Sequence, residues 1–219
     1  MKILVVVPAY NEATTIEGVL RAMQGVHDVV VIDDGSTDNT GEVARASGAL
    51  TLRHVVNRGL GAALRTGFAY ALSRGDTYDA VITLDADGQH NPAEIENFIA
   101  ALDAGAEVVI GRREFSDMPR IRQAYNAAGA IITSALFGGP FTDSQSGFRA
   151  FQVTKLRDFR LMTSRMEISS EIIAEAYRVG AKIQQIPITI AYTEYSMSKG
   201  QGFFEGLRTL WRLVLKSFA

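Results

Sequence analysis

Short, unbroken apolar runs rich in Val and Ile recur along the first half of this chain. They are separated by stretches whose apolar positions fall three and four apart. The first pattern reads as strands buried on both faces, the second as amphipathic helices. Lys2–Val7 (closed by Pro8), Val29–Ile32, Ala49–Val56, Ala80–Leu84 and Glu107–Ile110 are the predicted strands. Thr14–Met23, with Ile16, Val19, Leu20 and Met23 on one face, is the first predicted helix. Asp38-Asn39-Thr40 starts a second that runs to Ser47, and Gly61–Leu72 and Pro92–Leu102 follow. Beyond Ile110 the pattern is less regular: a helix near Gln123–Leu136, a short strand Gly147–Phe151, a helix Ile168–Val179 and a strand Ile183–Ile190 interrupted by Pro187. A last helix covers Phe203–Phe218. Strand–helix alternation of this kind predicts an α/β fold, a doubly wound, mostly parallel sheet with helices on both faces. No linker, repeat or low-complexity tract interrupts it. We expect one domain over residues 1–200 and an amphipathic helix over 201–219.

Composition narrows the classes. Of 219 residues, 47% are hydrophobic and 21% charged, an ordinary globular balance. A net charge of -2 argues against a general nucleic-acid-binding role. The absence of cysteine excludes disulfides, thiolate zinc sites and a cysteine nucleophile, and fits a cytosolic setting. Met1–Val7 is too short for the apolar part of a signal peptide. The longest candidate span, Ala124–Phe137, is short and contains Asn126, Thr133 and Ser134, so no membrane span is expected.

The chemistry concentrates at strand ends. Asp85-Ala86-Asp87-Gly88-Gln89-His90 follows the Ala80 strand, and Asn91-Pro92-Ala93-Glu94 then reads as a helix start, with Asn as N-cap and Pro at the first position. Two acids one residue apart at a strand's C-terminal end repel each other unless a cation lies between them. A hard divalent cation that also takes substrate phosphates suits them; the competing reading is a solvated Asp-rich turn. The first strand ends in Val7-Pro8-Ala9-Tyr10-Asn11-Glu12, with no glycine-rich phosphate turn, and no GxxxxGK[ST] occurs anywhere. Pro8 and Tyr10 can wall a base, and Glu12 and Asp34 can accept hydrogen bonds from base or ribose. Glu12 read singly is a first-turn acid. His90 can orient a phosphate or carboxylate, or simply sit in a turn; His27 and His54 read as structural. Arginines 112, 113, 120 and 122, set against Glu114 and Asp117, form either an anion pocket or a solvated basic face.

Taken together these motifs resemble the family 2 glycosyltransferases of the GT-A fold. The residues that carry the resemblance are Val7–Glu12, Asp33-Asp34-Gly35-Ser36-Thr37-Asp38, Asn57-Arg58-Gly59 with Gly61, and Asp85–Gln89. Within that family the chain looks most like the polyprenyl-phosphate sugar synthases, the dolichyl-phosphate mannosyl- or glucosyltransferases. Ile110-Gly111-Arg112-Arg113, Asp143-Ser144-Gln145-Ser146-Gly147-Phe148-Arg149, Ala176–Ile183 and Ser198-Lys199 point there. The resemblance implies a DXD motif in which Asp85, Asp87 and Gln89 hold Mg2+ or Mn2+ on the donor pyrophosphate. It implies nucleotide contacts from Pro8, Tyr10, Glu12, Ile32, Asp34 and Ala86, and phosphate contacts from Arg113 and Lys199. Asp85, Asp87, Arg113 and Lys199 are thus the implied catalytic set, and Arg122, Asn126 and Ser146 the implied acceptor-phosphate side. The family often shows Arg and Gly where this chain has Thr193 and Ser196, and a serine where it has Asn126.

The implied reaction moves a sugar from GDP-mannose or UDP-glucose to a polyprenyl monophosphate, on the cytosolic face of a membrane. Glu167 and Glu171 read either as first-turn acids or as groups facing the sugar hydroxyls. In the last helix Phe203, Phe204, Leu207, Leu210, Trp211, Val214, Leu215 and Phe218 share one face, and Arg208, Arg212 and Lys216 form a stripe beside it. That pattern reads as an interfacial membrane helix, or alternatively as a helix docked on protein or in a homo-oligomer contact. Two rival functions remain: transfer to a soluble or polysaccharide acceptor, and a non-catalytic nucleotide-sugar-binding or membrane-scaffold protein.

Overall fold

A computed structural model describes residues 1–113 and 146–191. The strand β1 (Ile3–Ala9) is buried at almost every position, because helices cover both of its faces. It is followed by α1 (Ile16–Arg21), β2 (Asp28–Asp33), α2 (Thr40–Ala46), β3 (Leu50–Arg53), α3 (Leu60–Ser73) and β4 (Ala80–Thr83). A single 3-10 turn (Pro92–Glu94) leads into α4 (Ile95–Asp103) and then β5 (Val108–Arg113). After the undescribed stretch come β6 (Arg149–Gln152), the one-turn α5 (Val153–Leu156), α6 (Ile168–Arg178) and β7 (Ile183–Ile188).

The strands form one sheet in the order β3-β2-β1-β4-β6-β5-β7. β6 runs antiparallel to both β4 and β5; every other pairing is parallel. Alternate side chains of the strands feed two cores. Val5, Val7, Ile82 and Phe148 pack under α1, α2 and α4 on one face. Leu4, Val6, Val81 and Phe151 pack under α3, α5 and α6 on the other. Each fully buried aliphatic side chain contributes about 1.5–3 kcal/mol against exposure. At Gly67 the helix α3 lies so close to β1 that a Cβ would overlap the Val6 side chain.

β1 is the switch point. Its neighbour β2 is reached through α1 and its other neighbour β4 through α3, from opposite faces. In open α/β sheets the crevice outside the strand C-termini at such a point receives the ligand. Here it carries Pro8–Glu12 and Asp85–Gln89.

The predicted α/β class, mostly parallel sheet and element order hold across the described residues. Asn91 caps as its sequence suggests, its side-chain oxygen accepting the Ala93 N–H at 3.1 Å. β3 stops at Arg53 rather than Val56: the His54 N–H still donates to the Asp33 carbonyl at 2.9 Å, but β2 ends at Asp33 and offers no further partner. β7 passes through Pro187, which an edge strand tolerates: its ladder runs to β5, and proline's missing N–H can face outward. The predicted helices near 123–136 and over 203–218 lie outside the described residues, as do Arg122, Asn126 and Lys199.

Candidate functional site

Two loops make the rim of the crevice. Asn11 sits in the left-handed region at φ 56°, where asparagine is tolerated, and its side-chain oxygen accepts the Thr37 N–H at 2.8 Å. Its own N–H donates to Ser36 Oγ at 3.0 Å, and the Glu12 N–H donates to Thr40 Oγ1 at 2.8 Å. The loop after β1 is thereby stitched to the loop after β2. Tyr10 is exposed at the rim, and Pro8 and Glu12 are half-buried. Ile32 and Ala86 are buried in the two cores, so any contact they make with a nucleotide runs through their backbone.

Asp85 and Asp87 follow β4, and their surroundings differ in sign. Asp85 Oδ2 pairs with His90 Nε2 at 3.1 Å. Burial alone would raise the Asp85 pKa. The hydrogen bond and charge of His90, with the Arg149 and Arg113 guanidiniums, outweigh burial and hold it below the ordinary 3.8. Asp87 goes the other way. Burial first, then the neighbouring Asp85 carboxylate, raise its pKa, and Glu12 adds to the rise. The Gln89 N–H, which donates to Asp87 Oδ1 at 3.0 Å, offsets only part of this. Asp85 is compensated by protein cations; around Asp87, burial and the neighbouring Asp85 and Glu12 carboxylates outweigh the Gln89 N–H and the charge of His90.

That asymmetry fits a divalent cation. Among the described residues no three His, Asp or Glu side chains form a cage for a metal ion. Two carboxylates plus the Gln89 amide leave room for waters and phosphate oxygens, the donor set a Mg2+-like ion prefers. Arg113, the last residue of β5, lies near enough for its charge to act on Asp85.

The pKa direction sets a pH dependence. Cation binding must displace the proton that Asp87 holds above the usual aspartate range. Mn2+ affinity, measured by titration at a series of pH values, should fall as pH drops, with the fall beginning above 3.8. A flat profile down to that pH would place the ion elsewhere.

Gly147 explains part of the Ser146-Gly147-Phe148-Arg149 run. The Asp85 carboxylate lies against its backbone, and a Cβ there would sit 2.6 Å from Asp85 Cγ and overlap both oxygens. The Gly147 carbonyl in turn accepts the Thr83 hydroxyl at 2.7 Å. Gly147→Ala should therefore keep the fold, shown by an unchanged circular dichroism spectrum, and weaken Mn2+ binding by about tenfold. Ser146 is buried, and its Oγ accepts the Phe148 N–H at 3.3 Å.

Asp34 is engaged by the protein itself. Its Oδ1 pairs with His54 Nδ1 at 2.6 Å and accepts the Arg58 N–H at 3.0 Å; its Oδ2 accepts the Gly59 N–H at 2.7 Å. His54 Nε2 continues to Thr66 Oγ1 at 2.9 Å. Three of roughly four acceptor positions of the carboxylate are occupied. Asp34 therefore ties β2 to the start of α3, and at most one acceptor position remains for a nucleotide.

Asn57-Arg58-Gly59 with Gly61 is likewise a junction. The chain at Thr163–Ser164 crosses the first turn of α3, and a Cβ at Gly59 or Gly61 would overlap the Thr163 or Ser164 backbone. Glu171 holds that crossing chain, accepting the Met162 and Thr163 N–H groups at 2.9 and 2.8 Å as well as the Thr163 hydroxyl. Its carboxylate is thus committed to structure rather than to a sugar. Arg149 and Gly147 are the residues whose part in the site the strand-end pattern alone misses, whereas His90 takes the carboxylate-facing place that its sequence position allowed. Two clefts of about 380 and 680 Å³ lie beside α1 and α2, and neither is lined by any predicted site residue.

The sequence profile described as Glycosyl transferase family 2 matches residues 4–159. The UDP-N-acetylglucosamine–dolichyl-phosphate N-acetylglucosaminyltransferase of Methanococcus voltae is 32% identical, over 97% of this chain and 95% of its own length. The undecaprenyl-phosphate mannosyltransferase of Micrococcus luteus is also 32% identical, over 94% of this chain and 90% of its own. Among solved structures, glucosyl-3-phosphoglycerate synthase from Mycobacterium tuberculosis, in complex with Mn2+, UDP-glucose and phosphoglyceric acid, superposes with a TM-score of 0.77. That match covers 99% of this chain and 79% of the other at 22% identity, which speaks to the fold.

Proposed function

Because the chain belongs to glycosyl transferase family 2, we propose that this glycosyltransferase moves one sugar from a nucleotide-diphospho-sugar to a polyprenyl monophosphate. The observation that carries the donor side is the Asp85–Asp87 pair at the switch point, one carboxylate compensated and the other facing anions. Asp87, with Asp85 and Gln89, holds Mg2+ or Mn2+ against the donor diphosphate. Such an ion supplies a Lewis acid that offsets charge building up on the leaving nucleotide. Arg113 and Lys199 share that charge as fixed cations. Pro8 and Tyr10 wall the base, Glu12 accepts from the nucleotide, and Asp34, Ile32 and Ala86 border it.

Support for the acceptor comes from relatives named for polyprenyl phosphates. A lipid monophosphate is already an anion, so it needs orientation more than a general base. Arg122, Asn126 and Ser146 are assigned to that side. Among the described residues no helix is long and apolar enough to cross a membrane. The helix over 201–219 is assigned to the membrane surface on the cytosolic face, where it brings the domain over residues 1–200 to headgroup level.

The test is a screen of UDP-glucose, UDP-N-acetylglucosamine and GDP-mannose with Mg2+ or Mn2+ and a short polyprenyl phosphate, followed by organic extraction. Radiolabelled sugar should enter the lipid phase with one donor. Label that reaches only soluble acceptors, or donor that is never consumed, would overturn the assignment.

A further inference from the structure

We propose that His90 is a positioning residue that locks the Asp85 carboxylate for cation binding; this rests on the metal reading given above. Two contacts hold Asp85. Its Oδ2 meets His90 Nε2 at 3.1 Å. Its flat side lies on the Gly147 backbone. The rest of the side chain remains open, at 36% exposure. A carboxylate otherwise rotates freely between equivalent orientations, and a hydrogen bond to one oxygen removes that freedom.

The histidine is itself immobilised. Only 6% of His90 is exposed, and its ring packs on Phe148 at 5.3 Å between centroids. Phe148 stacks on Phe98 at 4.1 Å. The His90 backbone forms an antiparallel bridge with Ile190, and the Ala191 N–H donates to the Gln89 carbonyl at 2.9 Å. Nδ1 is buried and has no hydrogen-bond partner among the described residues, so the ring bonds through Nε2. A histidine kept merely to fill the core would need no such aim. One nitrogen on a site carboxylate, with the ring clamped behind it, is the arrangement of a residue that orients a ligand.

The experiment uses the full chain with Mn2+ alone as probe, reading free Mn2+ by electron paramagnetic resonance. His90→Phe keeps a ring on Phe148 and removes the hydrogen bond. His90→Gln returns an N–H at similar reach. His90→Phe should weaken Mn2+ binding by about 10–100-fold, and His90→Gln should recover most of it, with little change in thermal midpoint. If His90→Phe fails to fold, His90→Leu takes its place in the comparison. Wild-type Mn2+ affinity in the variant lacking the hydrogen bond would overturn the proposal, as would a glutamine variant no better than phenylalanine. A wild-type protein that binds no Mn2+ at millimolar concentration would overturn the metal reading itself, a result distinct from those two.

Discussion

Asp87→Asn is expected to lower kcat/KM for sugar transfer by about 10²–10³-fold while leaving the fold intact. The amide is nearly isosteric, and its oxygen can still accept the Gln89 N–H that now reaches Asp87 Oδ1 at 3.0 Å. What disappears is the negative charge. In the metal-free protein that charge is unfavourable, because burial, Asp85 and Glu12 raise the Asp87 pKa. The sign follows from linkage. A carboxyl whose folded pKa lies above its unfolded value favours the fold at low pH, and that contribution is lost as pH rises through the folded pKa. At neutral pH the metal-free Asn variant should therefore melt no lower than wild type. Added Mn2+ should raise the wild-type midpoint and leave the variant's unchanged. A variant that turns over normally, or a wild type indifferent to chelation, would remove Asp87 from the metal.

Asp34→Ala is expected to act through stability. It removes the partner of His54 Nδ1 and of the Arg58 and Gly59 N–H groups together. Leaving the buried His54 without its carboxylate, and the two partly exposed N–H groups without their acceptor, costs about 3–5 kcal/mol, a large share of a domain's net stability. Urea unfolding should show a markedly lower midpoint. Asp34→Asn, which keeps an acceptor oxygen, should lose less. If alanine weakens only nucleotide binding, with the urea midpoint unchanged, Asp34 is a ligand contact and its network is incidental.

Much of this fold is legible locally. β1 and β4 announce themselves because strands covered on both faces need continuous apolar runs, and Asn91-Pro92 marks a helix start through cap chemistry alone. The strand-end acids Asp85 and Asp87 are visible for the same local reason. That Asp85 is the better compensated of the two depends also on Arg149 and Arg113, which only the folded sheet brings around it. Gly147 looks like a turn glycine until the Asp85 carboxylate is found lying on it. Gly59 and Gly61 answer to Thr163 and Ser164, about a hundred positions away, and no window along the chain contains both partners. Asp34 read as a free acceptor because its partners at 54, 58 and 59 are placed by β3 and α3, not by spacing. The antiparallel direction of β6 escaped for a similar reason: four residues reveal a strand but not which way it enters the sheet.

β6 also sets how the sheet can come apart. Within the described ladder β4 and β5 never pair with each other; β6 lies between them and pairs with both, through Ala80–Thr83 and Val108–Ile110. Arg149–Gln152 is therefore a seam between a slab of β3, β2, β1 and β4 and a slab of β5 and β7. Slow-exchanging amides should divide into two groups along it, those of the larger slab surviving openings that release the smaller. During synthesis the larger slab is complete once Thr83 has emerged, whereas the smaller has nothing to join until the seam strand arrives. A pulling experiment that grips the two termini would find its weak line there, between the half that holds Asp85 and the half that supplies Arg113.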